Sequence, residues 1–210
     1  MRTEHFVDGL QAIEWTVNDR GLAGLSDLEG IPWAMPMNEF FEAWVETVFT
    51  SVMRRTGGQM KVGRKRETTH PISWEPPYLG SQKSLVPDLI LEWETATVII
   101  DAKYKRHWEE LQLNSWSHVE EELREQHRQD LLQVLAYANL ARTPLAIACL
   151  VYPCSAATWH SLRERGRLMH KAQITMGSKS LHLWLTAVPM ANTVEEISMP
   201  LSAEIQLAMR

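Results

Sequence analysis

One stretch constrains this chain more than any other. In residues 85–104, two apolar runs are joined by a short polar turn, and each run carries one aspartate. A strand turns successive side chains to opposite faces, so Asp101 and Lys103 share one face of the second run while Ile100 and Ala102 share the other. In the first run Asp88 faces away from Leu89, Leu91 and Trp93. A turn of two or four residues sets Asp88 near Asp101 and gathers the apolar positions on a common face; a three-residue turn breaks both agreements at once. The even turn is expected, although Glu94-Thr95-Ala96-Thr97 lacks the Asn-Gly or Asp-Gly pair that marks many hairpins.

Two carboxylates and an ammonium converging at one end of a buried hairpin are costly as plain core, because the lost hydration must be offset by a counter-charge or a divalent cation. Hard oxygen ligands suit Mg²⁺ or Mn²⁺. An acidic pair on such a metal, beside a lysine, can orient a water and stabilise charge building on a phosphate. Taken singly, Asp101 and Lys103 read as a buried ion pair or as wet residues of edge strands. The joint pattern favours a site.

The rest of the chain fits around this hairpin. Asn38 reads as the N-cap of a helix in which Phe40, Phe41, Trp44, Val45, Val48 and Phe49 recur at helical spacing, ended by Gly57-Gly58. Among its acids, Glu42 is the candidate to point into the site, while Glu39 and Glu46 read as surface charges. Residues 59–67 read as a basic strand. Arg64, Lys65 and Arg66 within it belong to a cluster that either neutralises phosphates or guards a solvated sheet edge. A proline-rich loop follows over residues 69–80.

Residues 116–141 read as a long helix with a charged first half and a buried stripe of Trp116, Val119, Leu123, Leu131, Val134, Leu135 and Ala138. Asp130, Gln133 and Tyr137 share a face of it by their three- and four-residue spacing. A buried Gln and Tyr need hydrogen-bond partners, which a metal or DNA site offers; solvent, or core packing for Tyr137, is the rival reading. Residues 145–152 read as an interior strand, 156–170 as a helix with Arg163, Arg165 and Arg167 exposed, and 181–188 as a last strand. Residues 191–210 read as an irregular end with a short helix. The expected division is an N-terminal arm (1–30), one domain (31–190) and a C-terminal tail (191–210).

Composition narrows the class. Hydrophobic residues make up 45% of the chain, ample for one sizeable core, and no run of eighteen apolar residues or apolar N-terminal segment occurs. A cytoplasmic protein without a membrane segment is expected. The two cysteines, Cys149 and Cys154, cannot supply a four-cysteine zinc or iron–sulfur centre. A net charge of −5 does not by itself announce a nucleic-acid binder, so that argument rests on the local basic cluster.

Pro87-Asp88 followed by Asp101-Ala102-Lys103 resembles the signature of the PD-(D/E)XK nuclease superfamily. The order of helix, basic strand, hairpin, helix and apolar strand resembles its αβββαβ core: an α/β, restriction-endonuclease-like fold with a mixed central sheet flanked by helices. Gln133 and Tyr137 look like the helical motif of its RecB-like members. The wording Asn38-Glu39-Phe40-Phe41-Glu42, Val86-Pro87-Asp88, Ile100-Asp101-Ala102-Lys103-Tyr104-Lys105 and Gln133-Val134-Leu135-Ala136-Tyr137-Ala138 looks most like the nuclease domain of McrC-family restriction subunits, over residues 30–190.

That resemblance implies Mg²⁺, or Mn²⁺, held by Asp88, Asp101, the Ala102 carbonyl and Glu42. It implies that Lys103 positions the attacking water or stabilises the phosphate. Gln133 would support catalysis, and Tyr137 and Lys105, with Arg64, Lys65 and Arg66, would meet DNA. The second acid is Asp101 where Glu is commoner, a variation the superfamily allows. The implied protein is a metal-dependent DNA endonuclease, the cleavage subunit of a prokaryotic restriction system, working as a homodimer or with an AAA+ NTPase subunit. Two departures leave the motor open: little room for an additional N-terminal region, and a long charged stretch at residues 109–129. The alternatives are a RecB-like exonuclease or transposase-type nuclease, and a catalytically silent DNA-binding scaffold.

Overall fold

A mixed six-stranded sheet carries the fold, seen in a computed structural model that describes residues 36–105, 121–176 and 179–209. Helix α1 (Met37–Thr56) leads into β1 (Gln59–Val62) and a 3₁₀ turn (Gly63–Lys65). A small ribbon of β2 (His70–Pro71) and β3 (Ser84–Leu85) precedes the hairpin of β4 (Leu89–Glu92) and β5 (Ala96–Ala102). Then come α2 (Glu121–Ala138), β6 (Leu145–Cys154), α3 (Ala156–Glu164), β7 (Met169–Met176), β8 (Lys179–Pro189) and α4 (Val194–Ala208). The sheet order is β1-β4-β5-β6-β8-β7, antiparallel across β1-β4-β5 and β8-β7, parallel across β5-β6-β8. With the small ribbon set aside, the succession through β6 is the expected αβββαβ.

The parallel strands β5 and β6 form the interior of the sheet. Every residue of β5 is buried, as is the run from Ile147 to Tyr152 in β6, which is why both read as nearly unbroken apolar sequence. The β4–β5 register pairs Leu89 with Ile100 and Glu92 with Thr97, and the Trp93 N–H donates to the Ala96 carbonyl at 2.8 Å. Glu94 and Thr95 are left as a two-residue turn, so the even connection holds. Both apolar faces of the hairpin follow from that count.

Several local expectations are corrected. Helix α1 begins at Met37, with Pro36 rather than Asn38 in the cap position and no side-chain cap; the ring's preset φ suits a helix start. The basic segment is strand only as far as Val62. There Gly63 turns beneath the next chain segment, its N–H 2.7 Å from the Asp88 carbonyl oxygen, where an added Cβ would lie 2.5 Å from the Pro87 carbonyl oxygen. Arg66 then adopts φ 62, ending the strand direction.

In α2 the buried positions are His127, Asp130, Val134, Tyr137 and Ala138, one step round from the leucine stripe expected, with Leu131 and Leu135 only partly covered. Trp116 and Val119 of that expected stripe lie outside the described residues. Helix α3, expected to run to His170, ends at Glu164, and Met169–Met176 is the edge strand β7, an element the sequence did not suggest. Lys171 on β7 pairs with Glu204 at 2.7 Å, a charged guard on an exposed edge.

The end of the chain is a 15-residue helix, α4, opened by a Thr193–Glu196 capping box. It packs along α1: Ile197, Leu201 and Ile205 are buried, and Ser198 meets Ser51 at 3.0 Å. Pro200 inside it reads as a helix breaker in sequence, but the apolar seam against α1 outweighs the one lost backbone bond. The Trp44 indole closes the same region on the Pro189 carbonyl at 3.0 Å. Among the described residues no helix is long and apolar enough to cross a membrane.

Candidate active site

The β4–β5 register, continued one step past Leu89–Ile100, sets Asp88 opposite Asp101. Both then lie on the face that carries Ile90 and Ile99, against which Tyr137 of α2 packs. Asp88 sits just ahead of β4 and is fixed from three sides. The Ala102 N–H donates to its Oδ2 at 2.7 Å, the Gly63 N–H holds its carbonyl at 2.7 Å, and the buried Thr68 hydroxyl donates to the preceding Pro87 carbonyl at 2.6 Å. Burial, and then the charge of Asp101, push the Asp88 carboxyl up to about 7, against the Ala102 N–H, which favours the ion.

Asp101 is 2% exposed. Lys103 Nζ lies 2.7 Å from its Oδ2, and no other donor reaches that oxygen among the described residues. Burial raises the Asp101 carboxyl above its usual range even against the lysine. Burial also opposes the charge on Lys103, but Asp101 beside it overrides that, and the ammonium is held more firmly protonated than usual. The second donation of Lys103 goes to Gln133 Oε1 at 2.9 Å, and Gln133 Nε2 in turn donates to the Tyr137 hydroxyl at 2.9 Å. The Gln133–Tyr137 pair therefore aims the lysine. Tyr137 itself is buried on Ile90 and Ile99, so its place is behind Gln133 and not on an open surface.

Glu42 on α1 is half-buried. Burial raises its carboxyl, with Arg64 opposing and Asp101 adding to the rise. Among the described residues, however, no three His, Cys, Asp or Glu side chains are gathered closely enough to hold one metal ion. The full expected ligand set, with Glu42 joining Asp88 and Asp101, is not assembled in this arrangement. Two carboxylates remain sufficient for Mg²⁺, which keeps several waters and binds through one or two protein carboxylates plus phosphate oxygens. The buried Asp101 Oδ2, met by Lys103 alone among the described residues, and the crowding that raises Asp88 both fit a hard divalent cation. The Ala102 carbonyl belongs to the residue whose N–H already orders Asp88.

The basic patch is tethered more than sequence suggested. Glu46 pairs with Arg64 and, at 3.1 Å, with Lys65. Burial works against its charge, but those two cations hold its carboxyl below the usual range. Arg64, Lys65 and Arg66 are all exposed. Lys105 is drawn to α2, its Nζ 2.7 Å from Asp130 Oδ1, while the Tyr152 hydroxyl donates to Asp130 Oδ2 at 3.1 Å and lies 3.2 Å from His127 Nδ1. Sequence reasoning grouped Asp130 with Gln133 by spacing but gave it no role. Nothing in the sequence marked Tyr152, His127 or Thr68.

Fold and site together define an α/β protein whose central hairpin ends in a carboxylate pair and a lysine. A sequence model of the McrBC 5-methylcytosine restriction system component family matches residues 24–153, more than half of the chain. The chain belongs to that family, in agreement with the resemblance drawn from its motifs, and the matched span includes every site residue named above. It is a component of a restriction system. No curated protein matches it.

Proposed function

We infer that this chain is the cleavage subunit of its restriction system, a metal-dependent endonuclease that hydrolyses DNA phosphodiester bonds. The observation that carries the reading is the convergence of Asp88, Asp101 and Lys103 at one end of the β4–β5 hairpin, with Asp101 Oδ2 buried and met by Lys103 alone among the described residues. A Mg²⁺ or Mn²⁺ ion held by Asp88 and Asp101 would supply Lewis-acid charge and a more acidic bound water.

The chain's own groups do the rest. The Ala102 N–H keeps Asp88 turned toward Asp101. Gln133 holds the Lys103 ammonium beside the carboxylates, where it can orient the attacking water or stabilise the negative charge growing on the phosphate oxygens. The exposed Arg64, Lys65 and Arg66 offer the flanking DNA backbone a sequence-independent grip. Recognition of the DNA and delivery to the site fall to a McrB-type AAA+ NTPase partner, and a second copy of the site would cut the opposite strand.

Plasmid cleavage tests the reading. With Mg²⁺ or Mn²⁺ and the partner NTPase, the wild type is expected to cut a closed circular plasmid and Asp101→Ala to leave it intact. Equal cutting by both ends the mechanism. Cutting confined to linear DNA points to an exonuclease, and no cutting by either points to a silent DNA-binding scaffold.

A further inference from the structure

The core-facing side of α2 is apolar at Val134, Tyr137 and Ala138 but polar one to two turns earlier. Asp130 is 3% exposed and His127 6% exposed, and both sit at positions where the spacing of the helix would place leucine. A buried carboxylate is tolerated only with its lone pairs used, and Asp130 uses both oxygens: Oδ1 on Lys105 and Oδ2 on the Tyr152 hydroxyl, itself against His127. Such a network, costly in desolvation and drawn from α2 and β6, holds the Lys105 ammonium at its outer end. That side chain is one-third exposed.

The two lysines form a matched pair. The Lys105 N–H donates to the Lys103 carbonyl at 2.9 Å, a tight turn that keeps the two residues side by side beyond β5. Three residues apart on one face of α2, Asp130 holds Lys105 and Gln133 holds Lys103. Lys103 is committed to Asp101. Lys105 is partnered by a residue outside the carboxylate pair, and about a third of its side chain is exposed.

The geometry points to Asp130, backed by Tyr152 and His127, as a positioning residue that fixes Lys105 as a second cation for a DNA phosphate next to the one cleaved. This rests on the nuclease reading for its ligand. It adds to that reading a contact one nucleotide away from the reaction and the buried residues that hold it. An ammonium preset in this way loses little side-chain freedom on binding, whereas an untethered lysine gives up much of its rotamer entropy.

The test is duplex DNA binding by the full chain in Ca²⁺, measured as affinity against salt concentration, alongside plasmid cleavage. Lys105→Gln is expected to weaken binding and to reduce the salt slope by about one phosphate's worth. Asp130→Asn is expected to weaken binding several-fold, and the double variant to be no weaker than Lys105→Gln alone, since both act on one contact. Tyr152→Phe removes a single hydroxyl and guards against misfolding of the Asp130 variant; it is expected to shift affinity in the same direction by less. A rise in affinity on Asp130→Asn, as simple release of a paired cation would give, additive losses for Asp130→Asn and Lys105→Gln, or a Lys105→Gln salt slope equal to that of the wild type, each overturns the proposal. If the wild type cuts plasmid and the slope is unmoved by Lys105→Gln, this inference fails while the nuclease reading stands. A wild type that binds with the expected slope changes but never cuts removes the nuclease reading and leaves the phosphate contact.

Discussion

Lys103 Nζ lies 2.7 Å from Asp101 Oδ2 and is the one donor that reaches this buried oxygen among the described residues. The lysine neutralises Asp101 without saturating it. Replacing Lys103 by Met would strip a buried carboxylate of its paired cation and leave only the weaker influence of Lys105 among the described residues; breaking a buried pair in this way typically costs about 3–5 kcal/mol. The metal-free Lys103→Met protein is therefore expected to unfold at distinctly lower urea concentration than the wild type. Millimolar Mg²⁺ is expected to return part of that loss, since the ion offsets the same charge. Denaturation with EDTA and with Mg²⁺ checks both halves.

Asp88 gives the metal-free protein an unusual pH dependence. Its carboxyl is raised from 3.8 to about 7 in the fold, so between those values the folded state holds a proton that the unfolded chain has released. Stability from this group is present at low pH and is lost as pH rises through about 7, at up to about 1.4 kcal/mol per pH unit. Asp101 and Glu42, also raised, act in the same direction. Urea denaturation in EDTA across pH 4–8 is expected to show this fall, and Asp88→Asn to flatten it. A wild type whose stability climbs through that window would show that the carboxylates are not crowded together as described.

Gln133 is exposed, and among the described residues its side chain hydrogen-bonds Lys103 and the Tyr137 hydroxyl, so its loss is expected to cost catalysis and not folding. Gln133→Leu is expected to stay within about 0.5 kcal/mol of wild-type stability. Single-turnover cleavage is expected to slow by about 10–100-fold, the usual toll of removing a group that aims a metal-site side chain. Tyr137→Phe is expected to give a smaller slowing of the same kind.

What the sequence revealed, and what it hid, follows from range. Strand alternation and the parity of the turn are local, and these two regularities alone bring Asp88, Asp101 and Lys103 together. The Gln133–Tyr137 spacing is equally local. Asp130 was hidden because its partners, Lys105 and Tyr152, come from β-strand ends 25 and 22 residues away in sequence. Its burial contradicts the general exposure of aspartate. Helix α4 was expected only as a short helix in an irregular end; it runs through Pro200 because its seam against α1 outweighs that local cost, and β7 was hidden by a polar composition that an edge strand tolerates. Glu46 was read as a plain surface charge, although its distant partners Arg64 and Lys65 make it the brake on the basic patch.

That brake yields its own prediction. Glu46→Gln removes one negative charge between two cations without emptying the site. Because these pairs are largely solvated on the basic side, stability is expected to change by no more than about 1 kcal/mol. DNA affinity at low salt is expected to rise, with a steeper salt dependence, as Arg64 and Lys65 are released to phosphates. A DNA-binding titration showing unchanged affinity and slope would place the DNA path away from this patch.

The most direct measurement is calorimetric titration of Mn²⁺ into the wild-type chain and into Asp88→Asn and Asp101→Asn. The wild type is expected to take up one ion per site, and each variant to bind it at least about tenfold more weakly, both carboxylates being direct ligands. Mn²⁺ uptake that is unchanged by both substitutions would contradict the claim that Asp88 and Asp101 together hold the metal.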